Sequence, residues 1–202
     1  MKTMVKLLAI AAINLPAAAW PAIVQIGNGQ YASAYFYSTG SGGCNTNVFV
    51  NVIRSELLNP PGLEYLFSSA NVYIYQSGTC GTTQPVNGFG SAELTASDFE
   101  VAPSLNSAAL RTTVPFYDET SGQDFNLDVI LTWATWGPPT RFISKDFIGS
   151  PGCVSITRSN GTGAYAVASG SVLHEGTNYT PAPDEYALLG SVRDGLFGGG
   201  CQ

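Results

Sequence analysis

A run with a two-residue period near the middle of the chain constrains the fold more than any other feature. Residues 124–135 carry an apolar side chain at every second position. The apolar members are Leu127, Val129, Leu131 and Trp133, and the residues between them are Asp128, Ile130 and Thr132. A two-residue period is that of a half-buried β-strand. This segment therefore needs strand neighbours along its edges and a hydrophobic core on one face.

Similar strand-like segments recur along the chain, separated by turns rich in glycine, proline and asparagine. They are predicted at 31–38, 47–54, 71–77, 88–94, 99–101, 108–116, 153–157, 163–173 and 186–192. A hairpin turn is predicted at 118–122 and another turn at Asn160-Gly161, while 186–192 could equally be a short helical turn. The pattern predicts an all-β chain, a single-domain antiparallel β-sandwich or flattened barrel of about eight or nine strands.

Residues 1–19 have the features of a cleavable signal peptide. Lys2 and Lys6 precede an apolar run, Pro16 ends it, and three alanines follow at 17–19. The apolar run is too short to span a membrane. We therefore expect cleavage before Trp20 and a secreted or periplasmic β-domain over 20–202, with no transmembrane segment in the mature chain.

Removal of this leader makes the protein more acidic. It takes away two of the 8 basic residues and none of the 14 acidic ones, which leaves a formal net charge of −8. An acidic domain repels phosphate groups, so nucleic acid and anionic membrane surfaces are not expected partners.

All four cysteines lie after the predicted cleavage point, at Cys44, Cys80, Cys153 and Cys201. An even number of cysteines in an oxidising compartment indicates two disulfides. Of the three possible pairings we favour Cys44–Cys80 with Cys153–Cys201, because each cysteine is near glycine and a predicted strand end. A zinc site is less favoured, since the chain has no C-x-x-C pair and a single histidine.

No catalytic or cofactor motif stands out in the sequence. His174 is beside Glu175, but the G-x-S-x-G motif of many serine hydrolases is absent, so a solvated or structural histidine is the simpler interpretation. No cofactor is expected, with calcium as a lesser alternative.

The acidic residues of one predicted hairpin are weak catalytic nominees. They are Asp118, Glu119, Asp124 and Asp128, of which we nominate Asp118, Glu119 and Asp128. A carboxylate pair across a cleft could hydrolyse glycosides, and a cluster of oxygen ligands could hold calcium. The spacing matches neither pattern specifically, so a solvated hairpin tip is the favoured interpretation.

Tyrosines on two predicted strands point to a binding surface. Tyr31, Tyr35 and Tyr37 share one face of the first strand, and Tyr73 and Tyr75 share one face of the third. If those strands are neighbours, the tyrosines form a ladder on which sugar rings could stack. Ordinary cross-strand packing is the alternative without a ligand.

Tryptophan residues divide between core and surface. Trp136 precedes Gly137-Pro138-Pro139, which could present it on a loop, whereas Trp133 shares the apolar face of its strand. The candidate binding residues are Tyr35, Tyr37, Tyr73, Tyr75 and Trp136.

Two functions from different classes follow. The favoured one is a non-catalytic secreted domain that binds carbohydrate or another extracellular protein. The alternative is a secreted, glycoside hydrolase-like enzyme that uses a carboxylate pair. A cleft with two carboxylates at catalytic distance would favour the enzyme, and a tyrosine-lined sheet face would favour the binding domain.

Overall fold

The computed structural model describes residues 24–40, 42–57, 65–80, 84–150 and 153–201. This part of the chain forms antiparallel β-strands and contains no helix. The strands are β1 (Val24–Thr39), β2 (Asn45–Leu57), β3 (Tyr65–Ser77), β4 (Asn87–Glu93), β5 (Phe99–Val101), β6 (Ser107–Asp118), β7 (Gln123–Thr135), β8 (Thr140–Ser150), β9 (Cys153–His174), β10 (Thr177–Asn178) and β11 (Asp184–Cys201). The predicted all-β class is confirmed.

Strand β7 closes the sheet into a ring, because it pairs with β6 along one edge and with β9 along the other. The order around the ring is β9–β11–β1–β2–β3–β4–β6–β7. The other three strands attach to it, β5 to β6 and both β8 and β10 to β9. The closed ring corresponds to the barrel form of the predicted fold.

Alternate residues of each ring strand fill the interior. The alternating run 124–135 is β7, and its four apolar residues are buried as predicted. On the facing strands the core residues include Ala32, Ala34, Phe36, Val48, Val50, Val52, Val72 and Ile74. The indole nitrogen of Trp133 donates a hydrogen bond of 3.0 Å to the carbonyl oxygen of Ser33, which satisfies its polar group inside the core. Each fully buried aliphatic side chain contributes roughly 1.5–3 kcal/mol.

The Asn160-Gly161 turn prediction is wrong, because β9 runs through this dipeptide without a break. The two predicted strands on either side of it are therefore one. Gly161 lies beneath the ring of Phe142, and a Cβ atom there would come within 1.9 Å of the Phe142 Cζ atom. The glycine thus serves close packing between β8 and β9 instead of a turn.

One long element was not predicted, and the alternative left open for another is decided in favour of the predicted strand. Strand β8 was not predicted, and its eleven residues pair with β9. The segment 186–192 is a strand and not a helical turn, and it forms part of the longer β11. The predicted hairpin turn at 118–122 is confirmed, since it joins β6 to β7.

The predicted Cys44–Cys80 disulfide is confirmed, with the two Cα atoms 4.6 Å apart. It joins the start of β2 to the segment after β3. The backbone register places Cys153 opposite Cys201, but the side chains of both lie outside the described part, so their disulfide remains a prediction. The predicted signal peptide, 1–19, also lies outside the described residues. In the described part of the chain, no helix is long and apolar enough to cross a membrane.

Candidate functional site

Five aromatic side chains form a row across the outer surface of the ring. They come from five strands that are consecutive in space and lie opposite one another in the strand register: Tyr35, Phe49, Tyr73, Phe89 and Tyr117. Each of the five is between 39% and 50% exposed. At about 4.8 Å per strand, this aromatic row runs about 19 Å around the curved outer surface of the ring, from β1 to β6.

The row is on the outside because neighbours in sequence point into the core. Val48 and Val50 flank Phe49, and Val72 and Ile74 flank Tyr73, and all four are buried. The Phe49 and Tyr73 ring centroids are 6.2 Å apart, and those of Tyr73 and Phe89 are 6.4 Å apart. These contacts stabilise the sheet, yet they leave aromatic surface open to water.

Polar groups border the aromatic row on both sides. Two residues further along the strands, the register aligns Tyr37, Asn47, Tyr75 and Asn87. On the other side it aligns Ser33, Asn51, Asn71 and Ser91. The hydroxyl of Tyr35 donates a hydrogen bond to the Asn47 side-chain oxygen, which holds both groups in place.

A depression of about 430 Å³ lies over this surface. Its lining includes Tyr35, Asn47, Phe49, Tyr73, Tyr75, Asn87, Phe89 and Glu119. Glu119 is the charged side chain of this lining, which holds no lysine or arginine. A second depression, of about 510 Å³, shares Phe89 and extends past Tyr117 to Asp124 and Asn126. Together they make an aromatic, hydrogen-bonding surface whose charged side chains are two carboxylates, Glu119 and Asp124.

Asp118, the first carboxylate nominee, is a buried structural group. Both oxygens accept hydrogen bonds, from the backbone amides of Asn87, Thr120 and Ser121 and from the Ser121 hydroxyl at 2.6 Å. Burial by itself raises the pKa of Asp118, but these hydrogen bonds outweigh it and hold the pKa below its usual value. An ionised carboxylate with its oxygens so occupied is not poised to act as a general acid.

The structure does not bring the nominated carboxylates together. Asp118 pairs with Gln123, and Asp128 lies five residues further along β7, about 17 Å away. Asp118 points inward, whereas Asp128 is exposed on the outer face and accepts a hydrogen bond from Thr113. Glu119 is one residue further into the hairpin and so lies further still from Asp128. Glycosidase carboxyl pairs are about 5–9.5 Å apart.

His174 packs against its neighbours at the end of β9. Its ring stacks on Phe125 with centroids 4.0 Å apart, and its Nδ1 atom lies 3.2 Å from the Asn126 carbonyl oxygen. Among the described residues, no group of three or more histidine, cysteine, aspartate or glutamate side chains is placed to hold a metal ion.

Trp136 is exposed, as predicted, but it is not part of the aromatic row. Its side chain is 56% exposed and stacks on Tyr165 of β9, with centroids 5.7 Å apart. Tyr73 is on β3, which is four strands from β9 in either direction around the ring. On the other side, Tyr165 aligns through Leu188 with Ser33 of β1, so Trp136 lies nearer to Tyr35 than to Tyr73. The structure therefore places Tyr35, Tyr37, Tyr73 and Tyr75 on neighbouring strands β1 to β3, with Trp136 outside that group.

Three members of the aromatic row were not among the predicted site residues: Phe49, Phe89 and Tyr117. A local signal existed for Phe49, which alternates with the buried valines of β2. Only the register across the strands shows that all five side chains are aligned.

Comparisons with known proteins are uninformative about function. No protein-family model matches the chain, and no curated protein matches it. A crystal structure from Nitrosomonas europaea, provisionally assigned as AttH, aligns with a TM-score of 0.36 and 10% sequence identity. The alignment covers 87% of this chain and 52% of the other, so the chain spans about half the length of that protein. A likeness this weak carries no argument.

Proposed function

We propose that the chain is an exported, non-catalytic domain that binds carbohydrate on the aromatic row. The observation that carries the proposal is the alignment of five half-exposed aromatic side chains in register across neighbouring strands. The C–H face of a sugar ring can lie on an aromatic face, and hydroxyl groups at its edge need hydrogen-bonding partners beside that face. Asn47, Asn87 and the hydroxyl groups of Tyr37 and Tyr75 supply such partners.

The charge of the surface favours a neutral ligand. The depression over the row has Glu119 at its edge and no cation in its lining. A sulfated or uronic acid-rich glycan would meet a carboxylate there without an opposing positive charge. The depression over the row spans four of its five aromatic side chains, from Tyr35 to Phe89, which favours a short oligosaccharide over a single sugar.

Export is the second part of the proposal. The Cys44–Cys80 disulfide supports an oxidising compartment, in which such bonds form and persist. The leader over 1–19, with cleavage before Trp20, would direct the chain to the periplasm or the extracellular space.

Binding to an array of neutral polysaccharides tests the proposal, followed by affinity electrophoresis in gels that contain the best glycan. We expect Tyr73→Ala to weaken binding at least about 10-fold, equivalent to about 1.4 kcal/mol. Trp136→Ala is the matched control, because it removes a similarly exposed aromatic side chain that lines neither depression of the aromatic row. It should bind as the wild type does.

Two outcomes would overturn the proposal. One is an array with no neutral glycan bound by the folded, disulfide-containing protein. The other is undiminished binding by Tyr73→Ala together with a loss in Trp136→Ala, which would move the site to the surface around Trp136 and Tyr165.

A further inference from the structure

A cavity of about 980 Å³, distinct from the two depressions over the aromatic row, lies against the inner faces of β11, β1 and β2. Its lining is polar and carries four charged side chains: Arg54, Glu56, Glu100 and Arg193. No part of the aromatic row lines it. The cavity is therefore a separate site with different chemistry.

The strand register explains why polar side chains face inward here. In one row Val52, Ala32, Leu189 and Ala164 lie opposite one another, and all four are buried in the core or at its edge. Two residues further along the same strands, the row becomes Arg54, Gln30 and Ser191, and the next is Glu56, Asn28 and Arg193. A step of two residues keeps the same face of a strand. The inner face thus changes from core to cavity wall within one step.

Strand β5 separates the core from the cavity. Phe99 is fully buried and packs edge to face on Trp133, with centroids 6.5 Å apart. The next residue, Glu100, points the opposite way and lines the cavity. Glu100 therefore lines the same cavity as the two arginines, as does Val101.

The four charged side chains of this cavity are not part of the polar contacts seen among the described residues. None of the four forms an ion pair or hydrogen bond with another residue within the described part of the chain. Arg54 and Arg193 are also two of only six basic residues that follow the predicted leader. In so acidic a chain, two guanidinium groups in one cavity are a local concentration of positive charge, which the carboxylates of Glu56 and Glu100 accompany.

We propose that this cavity binds a small polyhydroxylated carboxylate, the chemistry of a sugar acid. The guanidinium groups of Arg54 and Arg193 match a carboxylate through paired N–H donors. Glu56 and Glu100 accept hydrogen bonds from ligand hydroxyls, and Gln30 can both donate and accept. The volume is at the upper end of small-molecule sites, which span about 300–1,000 Å³.

Saturation-transfer NMR with D-glucuronate, and with D-glucose as the neutral counterpart, tests this inference on the full mature chain. We expect D-glucuronate to bind and D-glucose to bind at least about 10-fold more weakly. Arg54→Gln and Arg193→Gln should each lower the affinity for D-glucuronate about 10-fold or more. Arg111→Gln is the matched control, since Arg111 is exposed and its neighbour Leu110 points into the core.

A variant of the aromatic row distinguishes this site from the proposed glycan-binding surface. Tyr73→Ala should leave D-glucuronate binding unchanged, so neutral-glycan binding and acid binding can fail independently. Equal binding of D-glucose and D-glucuronate would overturn the inference. So would unchanged D-glucuronate affinity in both arginine variants, provided that their melting temperatures match the wild type.

Discussion

At the scale of single residues, Asp118 shows how a polar side chain can link two distant segments. Its carboxylate accepts hydrogen bonds from Thr120 and Ser121 within its own turn and from Asn87, 31 residues away on β4. The local part of this arrangement could be read from the Asp-Glu-Thr-Ser-Gly turn. The link to β4 could not, because no local pattern reports which strand lies beside the hairpin. Because the Asn87 amide could not be foreseen as a partner, the sequence left Asp118 as a nominee for catalysis.

We expect Asp118→Asn to destabilise the protein at pH 7 by about 1–3 kcal/mol, because an amide cannot accept hydrogen bonds at both of its terminal atoms. The folded-state pKa of Asp118 is lowered, so the stability that its charge contributes is present above the unfolded pKa of about 3.9 and is lost as the pH falls through the folded value. The difference between wild type and variant should therefore shrink below about pH 4.

Urea unfolding at pH 7 and at acidic pH measures this difference. Asp128→Asn serves as the control, because Asp128 is exposed and accepts one hydrogen bond, from Thr113. A destabilisation in Asp118→Asn that is the same at both pH values would contradict the assigned role of the ionised carboxylate.

At the scale of elements, the pairing of β7 with β9 decides whether the sheet is open or closed. Gly170 sits in this seam opposite Leu131, with a backbone φ of 134°, a conformation that favours glycine. A Cβ atom at this position would come within 2.0 Å of the Ile130 carbonyl oxygen. The close approach of the two strands thus depends on a residue without a side chain.

Gly170→Ala should lower the free energy of unfolding by roughly 2 kcal/mol or more, through backbone strain combined with a backbone clash. Gly122→Ala is the matched control. Gly122 also has a positive φ, of 69°, but nothing lies within 4 Å of a Cβ atom there. Its expected loss is about 1 kcal/mol. Equal losses in thermal or urea unfolding would show that the seam tolerates a methyl group.

At the scale of the whole molecule, cross-links tie the ends of long strands together. The Cys44–Cys80 disulfide closes a loop with a sequence separation of 36 residues. The facing backbone positions of Cys153 and Cys201 would place a second cross-link between β9 and β11. By constraining the unfolded chain, the first disulfide contributes about 3–4 kcal/mol in the loop-entropy model.

Peptide mapping of the exported protein by non-reducing mass spectrometry should identify two linked pairs, Cys44–Cys80 and Cys153–Cys201. Replacing Cys44 and Cys80 together by serine should lower stability by about 3–4 kcal/mol and leave the other pair linked. Four free thiols in the secreted protein would contradict both the export and the oxidation predicted from the sequence.

The sequence alone determined the fold class and much of the core. Alternation with a two-residue period is a local property, so Leu127, Val129, Leu131 and Trp133 could be assigned to the core before their partners were known. Tertiary structure decided what those strands bring together. The aromatic row, the presence of Arg54 and Arg193 in one cavity, and the closure of β7 on β9 all depend on register between strands that are far apart in sequence. Register arises from hydrogen bonding and packing across the whole sheet, and no single strand contains it.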